Sequence, residues 1–127
     1  MKAIEIVSIP VTSQQKSKEF YRKIGFQLLV EAPVGPGLNW VQLGLEGQTT
    51  SISLIEKNLD HGPDTYFAKT VPGSLQGLMM QTEDIEKEVE ILKSKGVVFE
   101  RIDDTPFGKF ANFSDPDNNG LMLHQSA

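Results

Sequence analysis

The chain has 127 residues and a formal net charge of -5, from 12 Lys plus Arg against 17 Asp plus Glu. That length suits one domain with its own hydrophobic core, and the acidic balance speaks against a general nucleic-acid binder, whose affinity rests on clustered cations. With no cysteine and only His61 and His124 as histidines, the chain excludes disulfides, thiolate nucleophiles, iron–sulfur clusters and Cys-based zinc sites. The N-terminus lacks the apolar run and cleavage site of a signal peptide, and no stretch approaches the roughly 20 apolar residues that span a bilayer. The expectation is a cytoplasmic protein that engages neither nucleic acid nor membrane.

The Ile/Val-rich run from Ala3 to Val11 predicts a buried strand. Thr12 and Ser13 can cap the helix that follows, where Ser17, Phe20, Tyr21 and Ile24 fall on one face before Gly25 ends it. Phe26 to Val30 reads as a second strand, and Pro33 to Gly37 as a loop. Asn39 to Leu45 and Thr49 to Ile55 read as a hairpin turning near Glu46-Gly47. Glu56 to Gly73 has no clear period and reads as a connection holding one helical turn. Gln76 to Gln81 predicts a strand. Asp84 is the N-cap of a helix striped by Ile85, Val89 and Leu92 and ended at Gly96. Val97 to Ile102, Gly108 to Ser114 and Gly120 to Gln125 complete the strands, the last two joined by the tight turn Asp115 to Gly120.

The order strand–helix–strand–strand–strand therefore occurs twice, an internal repeat of roughly sixty residues. Module one covers about 1–56, the linker about 57–73 and module two about 74–127 of a single domain. Neither half buries both faces of a four-stranded sheet alone. The expected fold is α+β: two βαβββ modules in an incomplete, cupped mixed β-barrel, with the helices on the outer face and a cavity within the cup.

The stretch Lys18-Glu19-Phe20-Tyr21-Arg22-Lys23-Ile24-Gly25-Phe26 and the stretch Asn112-Phe113-Ser114-Asp115-Pro116-Asp117-Asn118-Asn119-Gly120-Leu121-Met122-Leu123 resemble two motifs of the vicinal oxygen chelate superfamily. That superfamily includes glyoxalase I, extradiol dioxygenases and bleomycin-resistance proteins. Pro72-Gly73-Ser74-Leu75-Gln76-Gly77 and Thr105-Pro106-Phe107-Gly108 are similar to segments of a common bacterial branch of it. The resemblance covers essentially the whole chain and implies paired βαβββ modules, often within dimers. It also implies a divalent metal on four inward-facing His, Gln or Glu side chains. Aligned on the motifs, those four positions fall on Ile6, Leu54, Gly77 and Met122. None is an ordinary ligand for a hard or borderline divalent ion, and no single register shift restores all four. The resemblance thus implies the scaffold without its chelate, and no cofactor.

Strand alternation with Ile6 inward predicts that Ile4, Ile6, Ser8, Ile52, Leu54, Met79, Gln81, Met122 and His124 face the cavity, joined by Trp40, Phe107 and Phe113 from neighbouring strands and loops. The set is an apolar wall with a few polar handles, as in small-molecule pockets. The same residues also suit a filled core. His124 has two readings, a ligand-contacting or acid–base group and a terminal-strand histidine satisfied by water or a backbone carbonyl. His61 reads as a loop residue. The leading expectation is a metal-independent, homodimeric protein that binds an apolar or aromatic small molecule. The alternative is a glyoxalase-like lyase, isomerase or dioxygenase relative with an atypical metal site including His124, Glu56 or Glu5.

Overall fold

The computed structural model describes residues 1–56 and 66–127; His61 lies outside them. Module one runs β1 (Ile6–Val11), α1 (Gln14–Lys23), β2 (Gln27–Gly35), β3 (Leu38–Gly44) and β4 (Ser51–Glu56). After a single turn, α2 (Tyr66–Lys69), module two runs β5 (Gln76–Gln81), α3 (Ile85–Ser94), β6 (Asp103–Thr105), β7 (Gly108–Ser114) and β8 (Gly120–Ser126). The two four-stranded sheets have the orders β1-β4-β3-β2 and β5-β8-β7-β6. In each, the first and last strands of the module pair in parallel and the other pairs are antiparallel. The sheets are cupped and do not close into a barrel, so the α+β repeat is present in both modules.

Local chemistry places the helices where the sequence predicts them. Ser13 Oγ accepts from the Lys16 N–H (3.3 Å) and Asp84 Oδ1 from the Lys87 N–H (3.1 Å), so each N-terminus is capped by its own side chain. The Ile85 N–H of α3 also finds Gln125 Oε1 at 2.8 Å. Gln14 fastens α1 to its sheet by donating to the carbonyls of Asn39 and Leu54, both at 2.9 Å.

Three expected elements differ. The first strand begins at Ile6 rather than Ala3. Pro33 to Gly35 belongs to β2, not to a loop; β2 is an edge strand, where a proline's missing N–H breaks no ladder. Val97 to Ile102 forms no strand. Its alternating apolar residues insert directly into the core, Phe99 against Phe113 with ring centroids 5.1 Å apart. The free edge of β7 is taken by the three-residue β6 instead.

The helix-side faces of both sheets share one core, in which Ile9, Tyr21, Leu43 and Leu54 of module one join Ile85, Leu92, Ala111 and Leu121 of module two. The turn after β7 clasps the modules together. The buried Asp115 carboxylate accepts from the Tyr21 hydroxyl (2.8 Å) and from Asn119 Nδ2 (2.8 Å), while Asn119 Nδ2 also donates to the Pro10 carbonyl (2.8 Å). Asp117 receives both the backbone N–H and the hydroxyl of Thr12. Asn118 takes a left-handed backbone, φ 65°, a conformation asparagine tolerates better than most residues. This folds the turn tightly enough for its neighbours to reach module one.

Candidate functional site

Cross-strand register decides which side chains share each cupped face. In module one, Ile6 is paired with Ser51, Ser8 with Ser53, and Ser53 with Gln42. The face away from the helices therefore carries Ile6, Ser8, Ser51, Ser53, Gln42 and Trp40. A bulge in β2 between Leu28 and Val30 adds both exposed Leu29 and exposed Val30 to its rim. The polar groups on this face form a fixed array. Trp40 Nε1 donates to Gln42 Oε1 (3.0 Å), Gln42 Nε2 donates to Ser51 Oγ (2.8 Å), and the hydroxyls of Ser8 and Ser53 lie 3.1 Å apart. Those contacts leave the second Gln42 N–H and the Ser51 O–H without a partner among the described residues, available to an oxygen acceptor.

In module two the rows are Gln81, His124, Phe110 and Asp103, and beside it Met79, Met122 and Asn112. The His124 ring stacks on Phe110, with centroids 4.5 Å apart and planes at 23°. Its Nε2 lies 3.0 Å from the Phe107 carbonyl. A carbonyl only accepts, so Nε2 carries the proton and donates, which leaves Nδ1 as the acceptor in the neutral ring. Phe107 itself stands on the β6–β7 turn with its ring 79% exposed. The lower end of this cup opens into a cavity of about 900 Å³ bordered by Asn112, Met122, Gln76, Phe20, Lys23 and Arg101, room enough for a drug-sized molecule. Arg101 is held by Asp103 at 2.6 Å and Glu100 at 3.4 Å.

The residues predicted to line one cavity thus fall into three groups. Ile6, Ser8 and Trp40 lie on the first cup, and Met79, Gln81, Met122 and His124 on the second with Phe107 at its rim. Ile52, Leu54 and Phe113 are turned the other way, into the helix-side core, although Ile52 and Phe113 each border a cavity from that side. For β4 the correction is one of phase: Ser51-Ile52-Ser53-Leu54 alternates polar and apolar, all four are buried, and it is the apolar pair that meets the helix-side core. Its cup-facing residues are Ser51 and Ser53. Ile4 precedes β1 and is 71% exposed. Sequence reasoning passed over Gln42, Phe110 and Asn112, although two-residue steps from Trp40, His124 and Met122 through the register reach all three.

The metal of the chelating relatives does not fit these residues. The β4 position moves from Leu54 to Ser53, whose hydroxyl faces Ser8. The others remain Ile6, Gly77 and Met122, where Gly77 is the extra residue of a β5 bulge. An aliphatic side chain, a missing side chain, a thioether and one hydroxyl make no site for a hard or borderline cation. Nor do Glu5, Glu56 and His124 converge: among the described residues no three His, Cys, Asp or Glu side chains could hold a metal ion. Glu56 Oε1 instead accepts from the Gln14 N–H at 3.1 Å. No helix of the described residues is long and apolar enough to cross a membrane.

The fold is shared with proteins of solved structure. YetH of Bacillus subtilis (strain 168), an uncharacterized protein, is 29% identical over 127 residues, covering 98% of this chain and 99% of YetH. The crystal structure of TnmS3, an antibiotic binding protein from Streptomyces sp. CB03234, is similar with a TM-score of 0.86 and 34% identity, covering 100% of this chain and 98% of TnmS3. A glyoxalase/bleomycin resistance protein from the same Streptomyces strain is similar with a TM-score of 0.77 and 36% identity, over 94% of this chain and 97% of the other. The family model for the Glyoxalase/Bleomycin resistance protein/Dioxygenase superfamily matches residues 3–123, and the chain belongs to that superfamily.

Proposed function

We propose that this protein is a metal-independent small-molecule-binding protein of the glyoxalase/bleomycin-resistance type, which sequesters an apolar or aromatic ligand against its cupped faces. The carrying observation is the composition of the faces at the positions where chelating relatives hold their metal. Ile6, Ser53, Gly77 and Met122 offer shape and dispersion contact in place of donors. Around them, Trp40 and the Phe110–His124 stack supply flat surfaces. The Gln42–Ser51 array supplies hydrogen bonds of fixed direction. The likeness to TnmS3, named as an antibiotic binding protein, supports a ligand of that kind. The chain works as one two-module domain, without cofactor, in the cytoplasm. It acts as a homodimer in which the exposed Leu29, Val30, Met79 and Phe107 are covered by the second copy.

Trp40 is the only tryptophan, so its fluorescence reports on the first cup alone. Titration with a panel of polycyclic aromatic antibiotics is expected to give saturable quenching by at least one, with Kd in the micromolar range, roughly -8 kcal/mol. Binding is expected to be unchanged by a chelator and lost in Ser8→Lys. One equivalent of divalent metal retained per chain after desalting, together with turnover of a glutathione hemithioacetal, would overturn it in favour of the lyase alternative.

A further inference from the structure

A second cavity, of about 600 Å³, lies at the seam where β1 and β4 of module one face β5 of module two. Apolar residues stand on both sides of it, Val7 and Ile52 against Leu78 and Met80, and the polar Gln48, Thr50, Ser51, Gln81 and Thr82 complete its lining. Every ionisable residue that lines it is a carboxylate, namely Glu46 and Glu83, and neither is in an ion pair among the described residues. The cavity below the second cup differs, since there Lys23 and Arg101 stand against Glu100, Asp103 and Asp115. Two exposed carboxylates on one rim, with no cation beside them in the lining, give the seam a negative potential that draws a cation and is screened by salt. The apolar residues gain from an apolar body. An anion is repelled here, and a neutral hydrocarbon leaves the two carboxylates unanswered.

We infer that this seam binds an amphipathic organic cation, its apolar or aromatic body against Val7, Ile52, Leu78 and Met80 and its ammonium head at Glu46 and Glu83. The site holds neither Trp40 nor the His124 stack but shares Ser51, Met79 and Gln81 with the cups, so its failure is told from that of the cup reading by substitutions at Glu46 and Glu83, which leave the cup residues in place.

The test uses the permanently charged probe (naphthalen-2-ylmethyl)trimethylammonium and its neutral isostere, in which the quaternary nitrogen is replaced by carbon. Affinities come from calorimetry, and the location comes from amide shifts of the full chain. The cation is expected to bind at least tenfold more tightly than the isostere, to shift the amides of Leu78, Met80 and Glu83, and to weaken with added salt. The double variant Glu46→Gln, Glu83→Gln removes two exposed charges without touching the core. It is expected to lower cation affinity about threefold to tenfold and to leave the isostere unchanged. Equal affinity for the two probes, no binding of the cation at millimolar concentration, an unaltered double variant, or shifts confined to Met122 and His124 would each overturn the inference. The fluorescence of Trp40 reads the first cup and is not involved.

Discussion

Tyr21 shows how much of the molecule hangs on single buried groups. It is fully buried, and its hydroxyl donates to Asp115 of the other module at 2.8 Å. Burial, and after it the Asp115 charge, pushes that hydroxyl far above the ordinary tyrosine range. A raised pKa gives stability that is complete below the unfolded value of about 10 and is lost as pH climbs beyond it. Urea midpoints measured from pH 8 to 11 are therefore expected to fall steeply only above about pH 10. In Tyr21→Phe the contribution of this group to that fall disappears, and stability at neutral pH drops by about 1–3 kcal/mol because a buried carboxylate loses a donor. The sequence shows Tyr21 as a helix-face aromatic and Asp115 as a turn residue. Their bond spans 94 positions, a separation that no local pattern encodes.

At the scale of elements, the β6–β7 turn is the most constrained piece of the second cup. The Thr105 hydroxyl accepts from the Phe107 N–H (3.1 Å) and donates to the Gly108 carbonyl (2.8 Å), while His124 holds the Phe107 carbonyl. Gly108 has φ 120°, and a Cβ there would strike the Gln125 carbonyl and the His124 ring. Gly108→Ala is expected to cost about 2 kcal/mol or more in urea unfolding, since left-handed strain adds to a backbone clash. It is also expected to release the Phe107 carbonyl from His124, visible as a changed imidazole nitrogen signal. Strands and helices with clear periodicity were legible in the sequence, among them α1, α3, β5 and β7. Periodicity misled in two places: the alternation of β4 fits either phase until its register with β1 and β3 fixes which set meets the helices, and Val97 and Phe99 alternate because they enter the core, not because they sit in a ladder.

For the whole molecule, the proposed homodimer places the exposed apolar residues of both cups against a second copy. Leu29→Glu and Phe107→Glu change residues that are 53% and 79% exposed in one chain, so the fold of a single chain is expected to survive them. Sedimentation velocity is expected to show a dimer for the unmodified protein and a monomer for the double variant, with an unchanged far-ultraviolet circular dichroism spectrum. A double variant that sediments like the unmodified protein would remove these faces from the interface. The sequence by itself determined the repeat, the caps, the turn residues, the α+β class and the absence of chelating side chains at the expected positions. Each of these is written in local spacing or in residue identity. Tertiary structure alone decided that Ser51 and Ser53, not Ile52 and Leu54, face the cup, that β2 bulges to expose Leu29, and that the Asp115 turn clasps the two modules. Those outcomes depend on strand register and on contacts far apart in the chain, where one residue of offset turns a side chain to the opposite face.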